Sequence, residues 1–277
     1  MLSRKTREIA GVYTERYKAG WGTLGHKRYG NFGYWTGEGT SIDEACDAMA
    51  DLVANASGIG PGDRVLEVGC GYGEAAVEYT RRYRPASVMA IDPTEVRVEV
   101  GRENAAKNGL SDVIRFQVGD ATTLEFPDAS FDRVIGIECA LLFDTRRDFL
   151  REAHRVLVPG GGLGLADILL RKGADRDAYL AHVHFPVGSD GSMDVPENVY
   201  EADVYEAALA DSGFTDVRIE SITDRTLPHM IACLERLAAE VTGEPRTRRL
   251  LAAEIYREYL RLGLEYVLVS ARKPRSG

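Results

Sequence analysis

The stretch Arg64-Val65-Leu66-Glu67-Val68-Gly69-Cys70-Gly71-Tyr72-Gly73-Glu74 decides the reading of the whole chain. An apolar strand runs straight into three alternating glycines and leaves into a segment with helical spacing. Glycine at these positions lets backbone approach a ligand closely. A glycine string alone also suits a nucleotide-phosphate loop, and the acidic residues downstream narrow the choice. Asp92 ends the next apolar run, 19 positions after Gly73, where a carboxylate can accept hydrogen bonds from both ribose hydroxyls. Asp120 follows the third run in Val118-Gly119-Asp120-Ala121, placed to take the exocyclic amine of an adenine. A dinucleotide loop would set its third glycine one residue later, and Glu74 stands there.

Outward from this motif, short runs rich in Val, Ile and Leu at 65–68, 87–91, 114–118, 133–137 and 162–168 read as strands apolar enough to be buried on both faces. Helical stretches at 74–84, 94–108 and 148–157 fall between them, the last stopped by Pro159-Gly160-Gly161-Gly162. A helix at 200–212 and strands at 216–222 and 265–271 come next. The alternation predicts an α/β, Rossmann-like, seven-stranded and mostly parallel sheet with helices on both faces. The whole chain, 1–277, reads as one domain. Residues 1–60 form an N-terminal helical and aromatic cap, 61–170 the core, and 171–277 the final strands with insertions that shape substrate access.

Composition narrows the function. With 44% hydrophobic and 28% charged residues the chain has ample material for a core. Lys+Arg 34 against Asp+Glu 43 leaves a net charge of −9, the wrong sign for a protein that binds by neutralising phosphates, so no nucleic-acid partner is expected. No apolar run approaches the roughly 18 residues of a membrane span, and the charged N-terminus lacks the apolar region of a secretory signal. A cytoplasmic protein without membrane insertion is expected. Cys46, Cys70, Cys139 and Cys233 are far apart, with no zinc-ligand spacing, and read as reduced thiols.

With these motifs the chain resembles the class I S-adenosylmethionine (SAM)-dependent methyltransferases. The resemblance spans 61 to about 170 and rests on EVGCGYG, Asp92, Gly119-Asp120-Ala121, Phe131-Asp132 and HRVLVPGGGLGLADIL. Gly33-Tyr34-Trp35 and Gly136-Ile137-Glu138-Cys139 look like the branch that methylates sterols, tocopherols, prenyl diphosphates and microbial natural products. It implies SAM as cofactor, with Glu67 and the Gly69, Gly71 and Gly73 backbone at the methionine moiety, Asp92 at the ribose and Asp120 at the adenine. Cys70, Pro93, Ala121 and Tyr34 complete the expected cofactor set. It also implies a reversed last strand.

Transfer from a sulfonium needs alignment above all; the acceptor's proton is where a side chain matters. Glu138, at the carboxyl end of the fourth strand, is the leading base, and the same segment in the resembling carbon methyltransferases faces the cation formed from an alkene. Its alternative role is to cap the next helix or pair with an arginine. The expected reaction is methylation of a small, fairly apolar metabolite, leaning to carbon, in terpenoid or similar natural-product biosynthesis. Oxygen methylation of a hydroxylated or glycosylated product with His182 or His184 as base is the alternative, and a SAM-binding scaffold or cyclase is a second. A metal would need a third ligand that the sequence does not single out, so none is expected. Tyr17, Trp21, Tyr34 and Trp35 are expected to close over the cofactor and stabilise a sulfonium or carbocation, Tyr17, Trp21 and Trp35 on the substrate side, or to pack the leader on the sheet; Arg225 and His229 are available to a phosphorylated substrate. An aromatic flap of this kind can exchange between subunits, which makes a homo-oligomer through the cap an expectation.

Overall fold

The computed structural model describes residues 2–19, 24–184 and 195–275. Its strands are β1 (Arg64–Val68), β2 (Ser87–Asp92), β3 (Ile114–Val118), β4 (Phe131–Ile137), β5 (Leu157–Leu170), β6 (Thr215–Ser221) and β7 (Leu264–Arg272). They form a seven-stranded sheet in the order β3-β2-β1-β4-β5-β7-β6. The pairs from β3 through to β5 are parallel, and β7 runs antiparallel to both β5 and β6. The helices are α1 (Arg4–Lys18), α2 (Ile42–Ser57), α3 (Glu74–Tyr83), α4 (Glu95–Lys107), α5 (Arg146–Val156), α6 (Arg176–His182), α7 (Ala202–Asp211), α8 (Leu227–Ala239) and α9 (Glu244–Leu262). Among the described residues no helix is long and apolar enough to cross a membrane. The four cysteines are buried and free.

The period-2 alternation of strand side chains divides the core in two. Val65, Val88, Phe116 and Ile135 face α2, α3 and α4, whereas Leu66, Val134, Leu163 and Val269 face α5 and α7. Both faces are therefore covered, as a parallel sheet requires.

Two expectations change. Residues 1–60 are not one cap: α2 lies on the sheet, with Met49, Ala50, Val53 and Ala54 fully buried, and only the segments around it and its first turns reach the cavity at the sheet's carboxyl edge. The Pro159-Gly160-Gly161-Gly162 run is not simply a turn after the helix. β5 starts at Leu157 and carries through it, with a register shift against β4. A Cβ on Gly162 would lie 2.1 Å from the Ser57 carbonyl oxygen, and one on Gly164 2.5 Å from that of Val53, so the glycines admit α2 against β5. Truncating α2 in this layer should act as a core deletion. Met49→Ala is expected to cost about 2–5 kcal/mol in denaturant unfolding, and Ile9→Ala, in a small satellite contact with Leu142, distinctly less.

Candidate active site

β1, β2 and β4 end at one edge of the sheet, and a cavity of about 460 Å³ opens there, within the size range of small-molecule sites. The glycine loop forms its floor. Gly69, Gly71 and Gly73 all have positive φ (64°, 53° and 76°). Gly69 and Gly73 are also required by packing, since a Cβ would come within 2.4 Å of Cys139 Cβ and 2.5 Å of Phe116 Cζ respectively. At Gly71 nothing lies within 4 Å, so bare backbone faces the cavity.

Carboxylates surround this floor. Asp92 accepts hydrogen bonds from Gly71 N (3.1 Å) and Thr94 N (2.9 Å), and Arg97 lies 3.6 Å from its Oδ2. Asp120 accepts from Thr122 N and Oγ1 through one oxygen, and from Ser3 N and Thr6 Oγ1 through the other. Burial pushes the Asp120 carboxyl up, but these bonds outweigh it and hold the group below its usual range. Glu67 is buried and accepts from Tyr79 Oη at 2.9 Å; burial pushes its pKa up to about 8.

Glu138 lies on the cavity wall immediately after β4, with φ +50°. Its Oε1 accepts from Phe32 N and Tyr266 Oη, each at 2.6 Å. Burial still dominates and pushes its pKa up to about 8. Phe32 packs edge-on against Tyr256 at 4.9 Å and Tyr266 at 6.1 Å, giving this end an aromatic wall. Ile9, Leu141, Leu142, Ile168 and Met230 make the remainder largely apolar.

Of the residues expected from sequence, Glu67, Gly69, Cys70, Gly71, Asp92, Pro93, Asp120, Ala121 and Glu138 line this cavity, and Gly73 closes its loop. The histidines do not. α6 runs on through His182, which is exposed with Nδ1 2.9 Å from Ala178 O, so His182 and His184 do not share one extended face. The His184 backbone exchanges hydrogen bonds with the Tyr259 hydroxyl. Trp35, His229 and Arg225 do meet, but behind the wall: Trp35 is buried, stacks on His229 at 6.1 Å and donates its backbone N–H to Arg225 O. Tyr34 donates its backbone N–H to Ala45 O and packs on the core rather than lining the cavity. Tyr17 lies 6.2 Å from Tyr72, at the edge. Trp21 lies outside the described residues. Among the described residues no group of three or more His, Cys, Asp or Glu side chains could hold a metal ion.

Sequence reading misses the roof. Thr6, Ile9, Tyr13 and Arg16 line the cavity from one face of α1, and Arg97 lies 3.6 Å over the Tyr13 ring. Their spacing of three, four and three is helical, a signal available in the sequence. Tyr266 and Tyr256 carry no such signal, because only the fold brings them to Glu138.

A family model described as a methyltransferase domain matches residues 65–161. The erythromycin 3''-O-methyltransferase of Saccharopolyspora erythraea is 32% identical over 259 residues, covering 89% of this chain and 84% of that protein. A sterol 24-C-methyltransferase of Gibberella zeae is 31% identical over 220 residues, covering 79% of this chain and 55% of that protein. The solved structure of the [4+2]-cyclase SpnF shares the fold, with a TM-score of 0.76 at 24% identity over 100% of this chain and 98% of that one. The chain belongs to the class I SAM-dependent methyltransferases, in the branch that acts on small molecules. The cavity suits that cofactor: bare backbone at Gly71 leaves room for it, and carboxylates stand at the ends of β2 and β3.

The proton on Glu138 gives this site a pH signature. The folded chain holds it to about pH 8, whereas the unfolded chain releases it near the ordinary value of 4.5. Between those values the folded state binds more protons, so stability falls as pH rises through the window. Glu67, pushed up to about 8 as well, contributes a like fall, so Glu138→Gln should remove only the Glu138 share of it and be the more stable protein at pH 8.5, by on the order of 1–3 kcal/mol, with no such advantage at pH 4.5. Denaturant titrations across this range would show it.

Proposed function

We propose that this enzyme transfers the methyl group of SAM to a hydroxyl oxygen of a largely apolar metabolite, with Glu138 as general base. The observation that carries the reading is the setting of Glu138: one carboxylate oxygen is fixed by Phe32 N and Tyr266 Oη, in an aromatic wall, and no histidine is among the described residues lining the cavity. The proposal joins the base expected for a carbon acceptor to the oxygen acceptor expected with a histidine. The O-methyltransferase relative, matched over most of both chains, supports oxygen.

When bound, SAM supplies an activated methyl group on a sulfonium, so the protein's task is alignment and handling of the acceptor's proton. Glu67, with the Gly69-to-Gly73 backbone and Cys70, surrounds the methionine part. Asp92 and Pro93 hold the ribose, and Asp120 and Ala121 the adenine. The Tyr13 ring, stacked on Arg97, closes the roof above Asp92. On the acceptor side, Tyr256, Met230, Leu141 and Ile168 exclude water from the hydroxyl that Glu138 faces. Trp35, His229 and Arg225 brace this wall from behind.

A carbon acceptor is the second reading, favoured by the rings of Phe32 and Tyr256 beside Glu138, a setting that would stabilise the cation from a methylated alkene.

Three measurements test this. Methyl-labelled SAM offered with erythromycin lacking its 3''-O-methyl group, other hydroxylated natural products and a sterol should place label on oxygen by NMR; label on carbon overturns the oxygen reading. Glu138→Gln should lower kcat about 10²- to 10⁴-fold with S-adenosylhomocysteine binding intact, and the parent's kcat/KM should climb with pH toward a plateau above about 8. Asp92→Asn should weaken S-adenosylhomocysteine binding roughly 10- to 100-fold by calorimetry.

A further inference from the structure

Behind the cavity wall lies a buried ionic network that none of the roles above uses. Arg146, the first residue of α5, is fully buried. Its Nη2 donates to Asp167 Oδ1 at 3.1 Å and to Ile168 O at 3.0 Å, and its Nη1 donates to Asn198 O. The rings of Tyr200 and Tyr205 lie 5.0 and 4.9 Å from the guanidinium, and Tyr205 Oη donates to Asp167 Oδ2 at 2.8 Å. Charges in such a place persist only when paired and hydrogen-bonded, and the pair adds little stability over apolar residues of the same volume. What it does add is direction.

Asn198, 2% exposed, receives that direction. Its Oδ1 accepts from Arg146 N at 2.6 Å. Its Nδ2 donates to Phe143 O at 2.8 Å and Leu141 O at 3.1 Å, with Ala140 O at 3.4 Å. These carbonyls belong to the 3₁₀ turn Ala140–Leu142 and the residue that ends it. So short a turn satisfies only some of its own carbonyls, and here one amide takes up the Leu141 and Phe143 oxygens. The turn begins two residues after Glu138 and supplies Leu141, Leu142 and Phe143 to the cavity.

We propose that Asn198 is a positioning residue for the acceptor: it clamps the 140–143 turn, and with it the wall beside Glu138, onto the Arg146–Asp167 pair. The kinetic part of this claim rests on the reading of the cavity as the acceptor site; the clamp itself does not. Asn198→Ala, bound to S-adenosylhomocysteine, is compared with the parent by hydrogen exchange. The Leu142 and Phe143 amides, bonded to Cys139 O and Ala140 O, should exchange about tenfold faster or more. Amides of β1, β2 and α2 should be unchanged, and S-adenosylhomocysteine affinity should stay within about threefold. With the acceptor that takes label, KM should rise about tenfold and kcat much less. Asn198→Asp, which keeps the acceptor for Arg146 N but loses the donors, should reproduce the local loosening if the alanine variant does not accumulate. Unchanged exchange at Leu142 and Phe143, or faster exchange spread evenly over the sheet, overturns the clamp. If no acceptor of the parent takes label, the proposed function fails while the exchange result still decides the clamp.

Discussion

A packing contact between Gly69 and Cys139 sets the geometry on which the site depends. β1 and β4 are parallel neighbours, with Val68 beside Gly136, so the loops at their carboxyl ends leave the sheet together. A side chain on Gly69 would collide with Cys139 Cβ, and one on Gly136 would stand 3.0 Å from Cys139 Sγ. Cys139 also donates to Val68 O at 3.3 Å. The glycine loop and the Glu138 turn are thereby locked at one spacing, and an in-line transfer depends on fixed alignment of that kind. The small buried thiol serves by its size rather than by reactivity, since burial raises its pKa well above the usual value.

The roof is attached by polar contacts to carboxylates that line the cavity. Ser3 and Thr6 bond to Asp120, and Tyr13 stacks on Arg97, which pairs with Asp92. Helix α1 contributes little to the main core beyond this, with Ile9 in a small contact of its own. A helix held this way is far easier to lift than α2, whose inner face is fully buried against the sheet. The division between a rigid floor and a lightly held roof stems from where the apolar area lies.

Burial is used in two opposite ways on either side of the cavity wall. Glu138 has hydrogen-bond donors but no cation paired with it among the described residues, so loss of water raises its pKa into the range where a carboxyl can trade protons near neutrality. Asp167, fully buried, has Arg146 against it and Tyr205 on its other oxygen, and belongs to a paired block. The presence or absence of a partner cation separates a candidate base from a fixed support.

The sequence alone determined the features that depend on neighbours along the chain. The strand, glycine loop and helix around 64–83, and Asp92 and Asp120 at the ends of their strands, were legible because each is written within a short run of consecutive residues. The place of Glu138 at a strand end was legible in the same way, but not its chemistry. That chemistry comes from Tyr266 and Phe32, 128 and 106 positions away, and pairings so distant leave no period or spacing to read. The same limit misplaced the histidines, because whether 182–184 is helix or strand depends on packing rather than on local pattern. It also hid α2 in the cap, since its burial depends on the glycines of β5, far along the chain. Local spacing determined the glycine floor of the cavity; only tertiary structure decided the wall around Glu138, because desolvation and long-range contact, not chain order, set the properties of its residues.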